Sequence, residues 1–66
     1  MSAPFPLSVV IVDDDELVAQ SLRTILEARG NVRVAALGTK GAEAAALFNE
    51  HHPDIMLLDI RMPDLS

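Results

Sequence analysis

Four aspartates hold the chemical interest of this chain. Asp13, Asp14 and Asp15 follow directly on an aliphatic run in VVIVDDDELV, and Asp59 follows another in IMLLD. Like charges gathered at the end of a hydrophobic strand are costly. Unpaired carboxylates in one crevice repel, and one is driven to protonate. A hard divalent cation removes the conflict. Magnesium takes oxygen ligands, keeps several waters and is often shared with a phosphate. The pattern therefore points to a metal and phosphoryl site. A local reading stands beside it. Aspartates ahead of a helix cap free N–H groups and suit the helix dipole, and Asp59 is then an ordinary loop residue.

The elements that would position these groups can be read along the chain. Residues 1–6, MSAPFP, form a proline-rich leader. Leu7 to Val12, LSVVIV, lacks polar alternation after Ser8 and predicts a strand buried on both faces. From Asp15 the period changes. Val18, Leu22, Ile25, Leu26 and Arg29 share one helical face, with Gln20, Arg23 and Glu27 opposite. The spacing predicts a helix from about Glu16 to Arg29, closed by Gly30 in a left-handed conformation.

Val32 to Leu37 predicts a second strand, at an edge because Arg33 interrupts its apolar run. Gly38 to Gly41, GTKG, is a loop. Ala42 to His51 predicts an alanine-rich helix with either Ala45 and Phe48 or Ala44 and Leu47 on the core side, stopped by Pro53. Ile55 to Leu58 predicts a third buried strand running into Asp59, and the remaining IRMPDLS reads as a loop.

The order β-α-β-α-β implies a parallel sheet covered by helices. In such sheets ligands bind beyond the carboxyl ends of the strands. If the first and third strands are neighbours, Asp13, Asp14 and Asp59 converge there.

Composition narrows the classes. With 66 residues this is one small domain at most. A chain of that size buries about 60% of its unfolded surface, so its stability is marginal without an added staple or partner. It has no cysteine, which excludes disulfides and thiolate zinc sites and fits a reducing cytoplasm. Half of its residues are hydrophobic, unlike a disordered tail. The net charge of −5 makes it a poor holder of a nucleic-acid backbone. The longest uncharged run, residues 1–12, is too short to span a bilayer.

Two stretches, VIVDDDELV and HPDIMLLDIRMPDLS, together resemble the receiver domain of bacterial two-component response regulators. The aspartate pair matches at Asp13 and Asp14. The block after the second helix matches at Pro53, Asp54, Leu57, Leu58, Asp59, Met62 and Pro63. The resemblance covers Leu7 to Ser66, and the wording around MPDLS is most similar to NarL/FixJ-type regulators. It implies a flavodoxin-like α/β fold of three layers, here truncated to β-α-β-α-β with parallel strand order 2-1-3.

It further implies that Asp59 is the phosphoacceptor, taking a phosphoryl group from a sensor histidine kinase. Mg²⁺ would be held by Asp13, Asp14 and Asp59 and by the backbone carbonyl of Arg61, with Asp13 acting mainly through water. Met62 and Pro63 would shape the loop. In the parent protein the switch would act on transcription through a DNA-binding domain absent here.

The resemblance stops short of the family's full pattern. A complete receiver has five strands, a hydroxyl residue after the fourth and a lysine after the fifth. This chain reaches neither, and its lysine, Lys40, lies before the second helix. The expectation is a half-receiver whose third strand has an open edge, a template for pairing with another chain. Self-association through that edge or through uncovered sheet faces follows, with a symmetric dimer as the default. A module that assembles without phosphotransfer is thus the second functional reading. A different phosphotransfer enzyme with a similar acidic pocket is a third, disfavoured by the LLDIRMP block.

The remaining polar residues have plainer roles. Asp15 reads as a cap, Asp54 as a turn residue and Asp64 as solvated. His51 and His52 suit a helix C-terminus, and Met56 suits packing.

Overall fold

The computed structural model describes residues 6–59 and 61. The predicted leader, apart from Pro6, and the loop positions Ile60 and 62–66 lie outside them.

The centre of the fold is β1 (Leu7–Val12), whose last four residues are buried. Its β-branched side chains alternate between two faces, and each face has its own cluster. Val9 and Ile11 pack with Ala19, Leu22, Leu26, Val32, Val34 and Leu37. Val10 and Val12 pack with Ala35, Ala36, Ala44, Leu47 and Met56. The first cluster is covered by α1 (Glu16–Glu27) and the second by α2 (Ala44–His51). Helices on both faces explain why β1 carries no polar alternation. β2 (Val32–Gly38) and β3 (Ile55–Leu58) flank β1 in parallel, giving the order β2-β1-β3. This is the flavodoxin-like order expected from the sequence. No helix among the described residues is long and apolar enough to cross a membrane.

The β1–β2 ladder carries one irregularity. Val9 pairs with Val34 but Val10 pairs with Ala36, so Ala35 is the extra residue of a bulge. The bulge turns both Ala35 and Ala36 toward the α2 cluster. Small side chains there let α2 approach closely. Gly38 serves the same approach, since a Cβ on it would stand 2.8 Å from Leu47 Cδ1.

Several boundaries and faces differ from expectation. α1 ends at Glu27, two residues early. Arg29 and Gly30 donate to the carbonyls three residues back, tightening the last turn before Gly30 adopts φ +82°. The buried face of α1 is Ala19, Leu22 and Leu26, while Val18 and Ile25 are exposed. α2 starts at Ala44, after a 3-10 turn at Gly41–Glu43. The Glu43 carboxylate accepts the Thr39 and Lys40 N–H groups, both at 2.9 Å, and holds that turn. The core side of α2 is Ala44 and Leu47; Ala45 and Phe48 are exposed. His52 ends α2 in the left-handed region, followed by buried Pro53.

The main correction concerns β3. It was expected to be buried, yet Ile55, Leu57 and Leu58 are 42%, 37% and 43% exposed. Both helices pack chiefly on β1 and β2, which leaves β3 with little cover. Its start is nevertheless fastened. Asp54 Oδ2 accepts the Ser8 N–H at 2.8 Å, and the Asp54 N–H donates to the Ser8 carbonyl at 2.9 Å.

β2 is fastened by a side chain that the sequence placed on the solvent side. Glu27 Oε2 accepts the Val34 N–H at 3.0 Å, and Oε1 accepts Arg23 Nε. The Val34 bond holds the Glu27 carboxyl below the usual range, outweighing the opposing effect of burial, and Arg23 and Arg33 add smaller effects in the same direction as the bond. A depressed carboxyl stabilises the fold above its unfolded value, and the contribution is lost as pH falls through the folded value. Melting temperatures of wild type and Glu27→Gln will therefore differ at neutral pH, wild type being higher, and converge in acid below the usual carboxylate range.

Candidate metal and phosphoryl site

The site forms where β1 and β3 end. The Asp13 N–H donates to the Gly38 carbonyl and the Asp59 N–H donates to the Val12 carbonyl, each at 3.0 Å. These two bonds carry the sheet pairing one residue past the strands. They fix the backbone of both aspartates on neighbouring strand ends. Asp13 is buried, at 7% exposure. Its Oδ1 accepts the Asp15 N–H at 2.8 Å, which turns the chain from β1 into α1. Asp15 Oδ1 accepts the N–H groups of Leu17 and Val18 at 3.0 and 3.3 Å. Asp15 is thus the helix cap, as the local reading had it, and stands apart from the other two.

Asp13, Asp14 and Asp59 come together. One carboxylate oxygen from each lies within 4.8 Å of the others. An all-oxygen set of three carboxylates suits a hard divalent cation, which asks for oxygen ligands and tolerates waters in the remaining positions. The cleft beside them is lined by Asp14, Asp15, Glu16, Leu17, Asp59 and Arg61. Lys40 lies outside this lining, in agreement with the sequence reading.

The residue that sequence reasoning undervalued is Arg61. Its backbone carbonyl was the expected contribution, and its side chain makes the visible one. Arg61 Nε donates to Asp59 Oδ1 at 3.0 Å and Nη2 to Oδ2 at 3.1 Å, a two-pronged fork on one carboxylate. The Arg61 N–H also donates to Oδ1, at 3.0 Å. The Asp59 side chain is 7% exposed and that of Arg61 is 78%. The guanidinium, then the Arg61 N–H, hold the Asp59 carboxyl below its usual range, while burial acts in the other direction. Asp59, Asp13 and Asp14 together raise Arg61. The available signal was a cation two residues beyond a carboxylate in a turn, within reach of folding back. Met62, Pro63 and Asp64 lie outside the described residues.

A parallel sheet with carboxylates gathered beyond the carboxyl ends of adjacent strands defines an open α/β ligand-binding domain of flavodoxin-like type. The family model described as response regulator receiver domain matches residues 9–66. The chain belongs to that family. It is 42% identical over 59 residues to the polar-differentiation response regulator DivK of Brucella ovis, covering 89% of this chain and 46% of that protein. DivK of Brucella melitensis gives the same figures. It is 40% identical over 60 residues to protein-glutamate methylesterase/protein-glutamine glutaminase 2 of Nitratidesulfovibrio vulgaris, covering 91% of this chain and 16% of that protein. The chain thus spans about half the length of DivK and a smaller part of the methylesterase.

Proposed function

We propose that the chain is a phosphoacceptor: Asp59 takes a phosphoryl group from a sensor histidine kinase in the cytoplasm, with Mg²⁺ held by Asp13, Asp14, Asp59 and the Arg61 carbonyl. The observation that carries this reading is the convergence of the three carboxylates in a chain of the receiver family.

Asp59 is the nucleophile. One of its oxygens forms the new bond to phosphorus as the bond from phosphorus to the donor breaks, and the donor leaves with that electron pair. Asp59 suits the role because its backbone is fixed by the Val12 carbonyl and its carboxyl stays ionised. Asp13 and Asp14 hold negative charge where a cation is required. Bound magnesium would offset the charge that gathers between a carboxylate and a phosphoryl group. This is acceptance of a group, without turnover machinery. In a longer protein that carried this region, the acyl phosphate would switch an attached output, such as a DNA-binding domain acting on transcription.

The test is intact mass after incubation with acetyl phosphate and Mg²⁺. Wild type will gain one phosphoryl group, and Asp59→Asn will gain none. Equal labelling of the two chains, or no labelling of folded wild type, refutes the assignment.

A second reading is favoured by the exposure of Ile55, Leu57 and Leu58 on a strand with one neighbour among the described residues. It is self-association without phosphotransfer, by pairing of β3 with β3 of another copy. Sedimentation will then give a species of twice the chain mass at micromolar concentration, and Leu57→Lys will return it to one.

A further inference from the structure

We propose that the Arg61 side chain is a built-in counter-ion of the acidic cleft, which occupies Asp59 in the metal-free chain and is displaced when a divalent cation binds. The inference rests on the phosphoacceptor reading and adds to it a residue that sets how much cation the site needs.

Occupancy of the Asp59 oxygens is the first argument. Oδ1 accepts both the Arg61 N–H and Arg61 Nε, and Oδ2 accepts Nη2. A carboxylate oxygen has two lone-pair positions. Oδ1 has both in use and Oδ2 has one, so ligation through Oδ1 requires one donor to leave, and ligation through Oδ2 brings the cation against the guanidinium. The N–H belongs to the backbone of the turn. The side-chain fork is the donor that can leave by rotation about its own bonds.

Charge is the second argument. The guanidinium interacts favourably with all three carboxylates. It supplies one positive charge where three negative charges meet, so the metal-free cluster is partly neutralised. A divalent ion supplies two, and it gains less while the guanidinium remains close.

Exposure is the third. At 78% exposure the arginine faces water. Water can solvate the guanidinium once the fork opens, and the cation then takes its place on the largely buried Asp59 carboxylate. A buried arginine in the same place would block the site; an exposed one raises its threshold. Displacement moves the guanidinium a few ångströms and leaves it beside the cleft.

Calorimetric titration with Mg²⁺ at fixed ionic strength tests this on wild type, Arg61→Ala, Arg61→Lys and Asp14→Asn. Removing one unit charge a few ångströms from a divalent ion in a solvent-exposed site should strengthen binding about fivefold to tenfold. Arg61→Ala will therefore bind tighter by that factor. Arg61→Lys keeps the charge and loses the fork, and its affinity will fall between the two. In wild type, the Arg61 Nε–Hε resonance will shift toward that of a free guanidinium as Mg²⁺ saturates the site.

Equal or weaker binding by Arg61→Ala, or an unmoved Nε–Hε resonance at saturation, overturns the displacement while leaving the metal site intact. Absence of any binding that Asp14→Asn weakens overturns the metal site itself, and the displacement with it.

Discussion

Ile11→Ala will remove most of the chain's stability at room temperature. Ile11 is 1% exposed at the centre of the middle strand, packed with Val9 and Ala19 and against Leu22 and Leu26. Removing three carbons from such a site costs about 2–5 kcal/mol, the upper part of the range applying where neighbours cannot collapse into the gap. Here they cannot easily do so, because β1 is held on both sides by sheet pairing. Typical stabilities of roughly 0.05–0.15 kcal/mol per residue give about 3–10 kcal/mol for a chain this long. Among the described residues the buried hydrophobic core consists of Val9, Val10, Ile11, Val12 and Ala19, which argues for the low end. One truncation therefore removes most of the margin. Urea denaturation followed by circular dichroism measures it, with a midpoint shift of about 2 M or more for a slope near 1 kcal/mol/M. Ile25→Ala is the matched control. Ile25 is 63% exposed, and its loss should cost less than about 0.5 kcal/mol. A similar loss in both variants would contradict the placement of the core.

Asp13→Asn will move stability and metal affinity in opposite directions. Asp13 is buried beside Asp14 and Asp59, and the nearby guanidinium offsets one of three negative charges. Asparagine keeps a carbonyl oxygen in place to accept the Asp15 N–H, so the turn into α1 survives. The like-charge repulsion goes. The metal-free variant should gain about 1 kcal/mol, a size usual for removing a functional conflict. Divalent affinity should fall by at least about tenfold. Thermal melting with and without Mg²⁺ reads both at once. Without the ion the variant melts higher. With millimolar ion the wild-type transition rises by mass action and that of the variant scarcely moves. A variant that melts lower in both conditions would mean that Asp13 is a structural acceptor first.

What could be read in advance followed from how much each residue type constrains. β1 and β3 were bounded to the residue, since a β-branched or aliphatic run between turn signals has few other conformations. The convergence of Asp13, Asp14 and Asp59 followed from strand order, because adjacent parallel strands bring their carboxyl ends together. α1 was set two residues too long, since Gly30 marks where the left-handed residue falls and says nothing of the tightened turn before it. α2 was blurred by Ala42, Ala44, Ala45 and Ala46, whose equal side chains give a helical period no phase. The burial of β3 was misjudged because composition reports what a strand would bury and not what lies over it. Glu27 and Arg61 were underread for a common reason. A charged side chain is assigned to solvent until the backbone N–H or carboxylate within its reach is known.

The two outer strands differ in how they meet their surroundings, and the difference would give any strand addition to the sheet a direction. On β2 the Glu27 carboxylate occupies the Val34 N–H, with charged Arg33 alongside. On β3 the exposed residues Ile55, Leu57 and Leu58 have no equivalent guard among the described residues. A strand joining this sheet meets resistance on one side and apolar surface on the other. Two copies meeting through β3 about a twofold axis would each turn a guarded β2 outward, and addition would end there. The same chain with both margins bare would have no such stopping point and could extend as a ribbon. If copies of this chain do associate as proposed, a single glutamate at the end of α1 bears on whether that association is finite or unlimited.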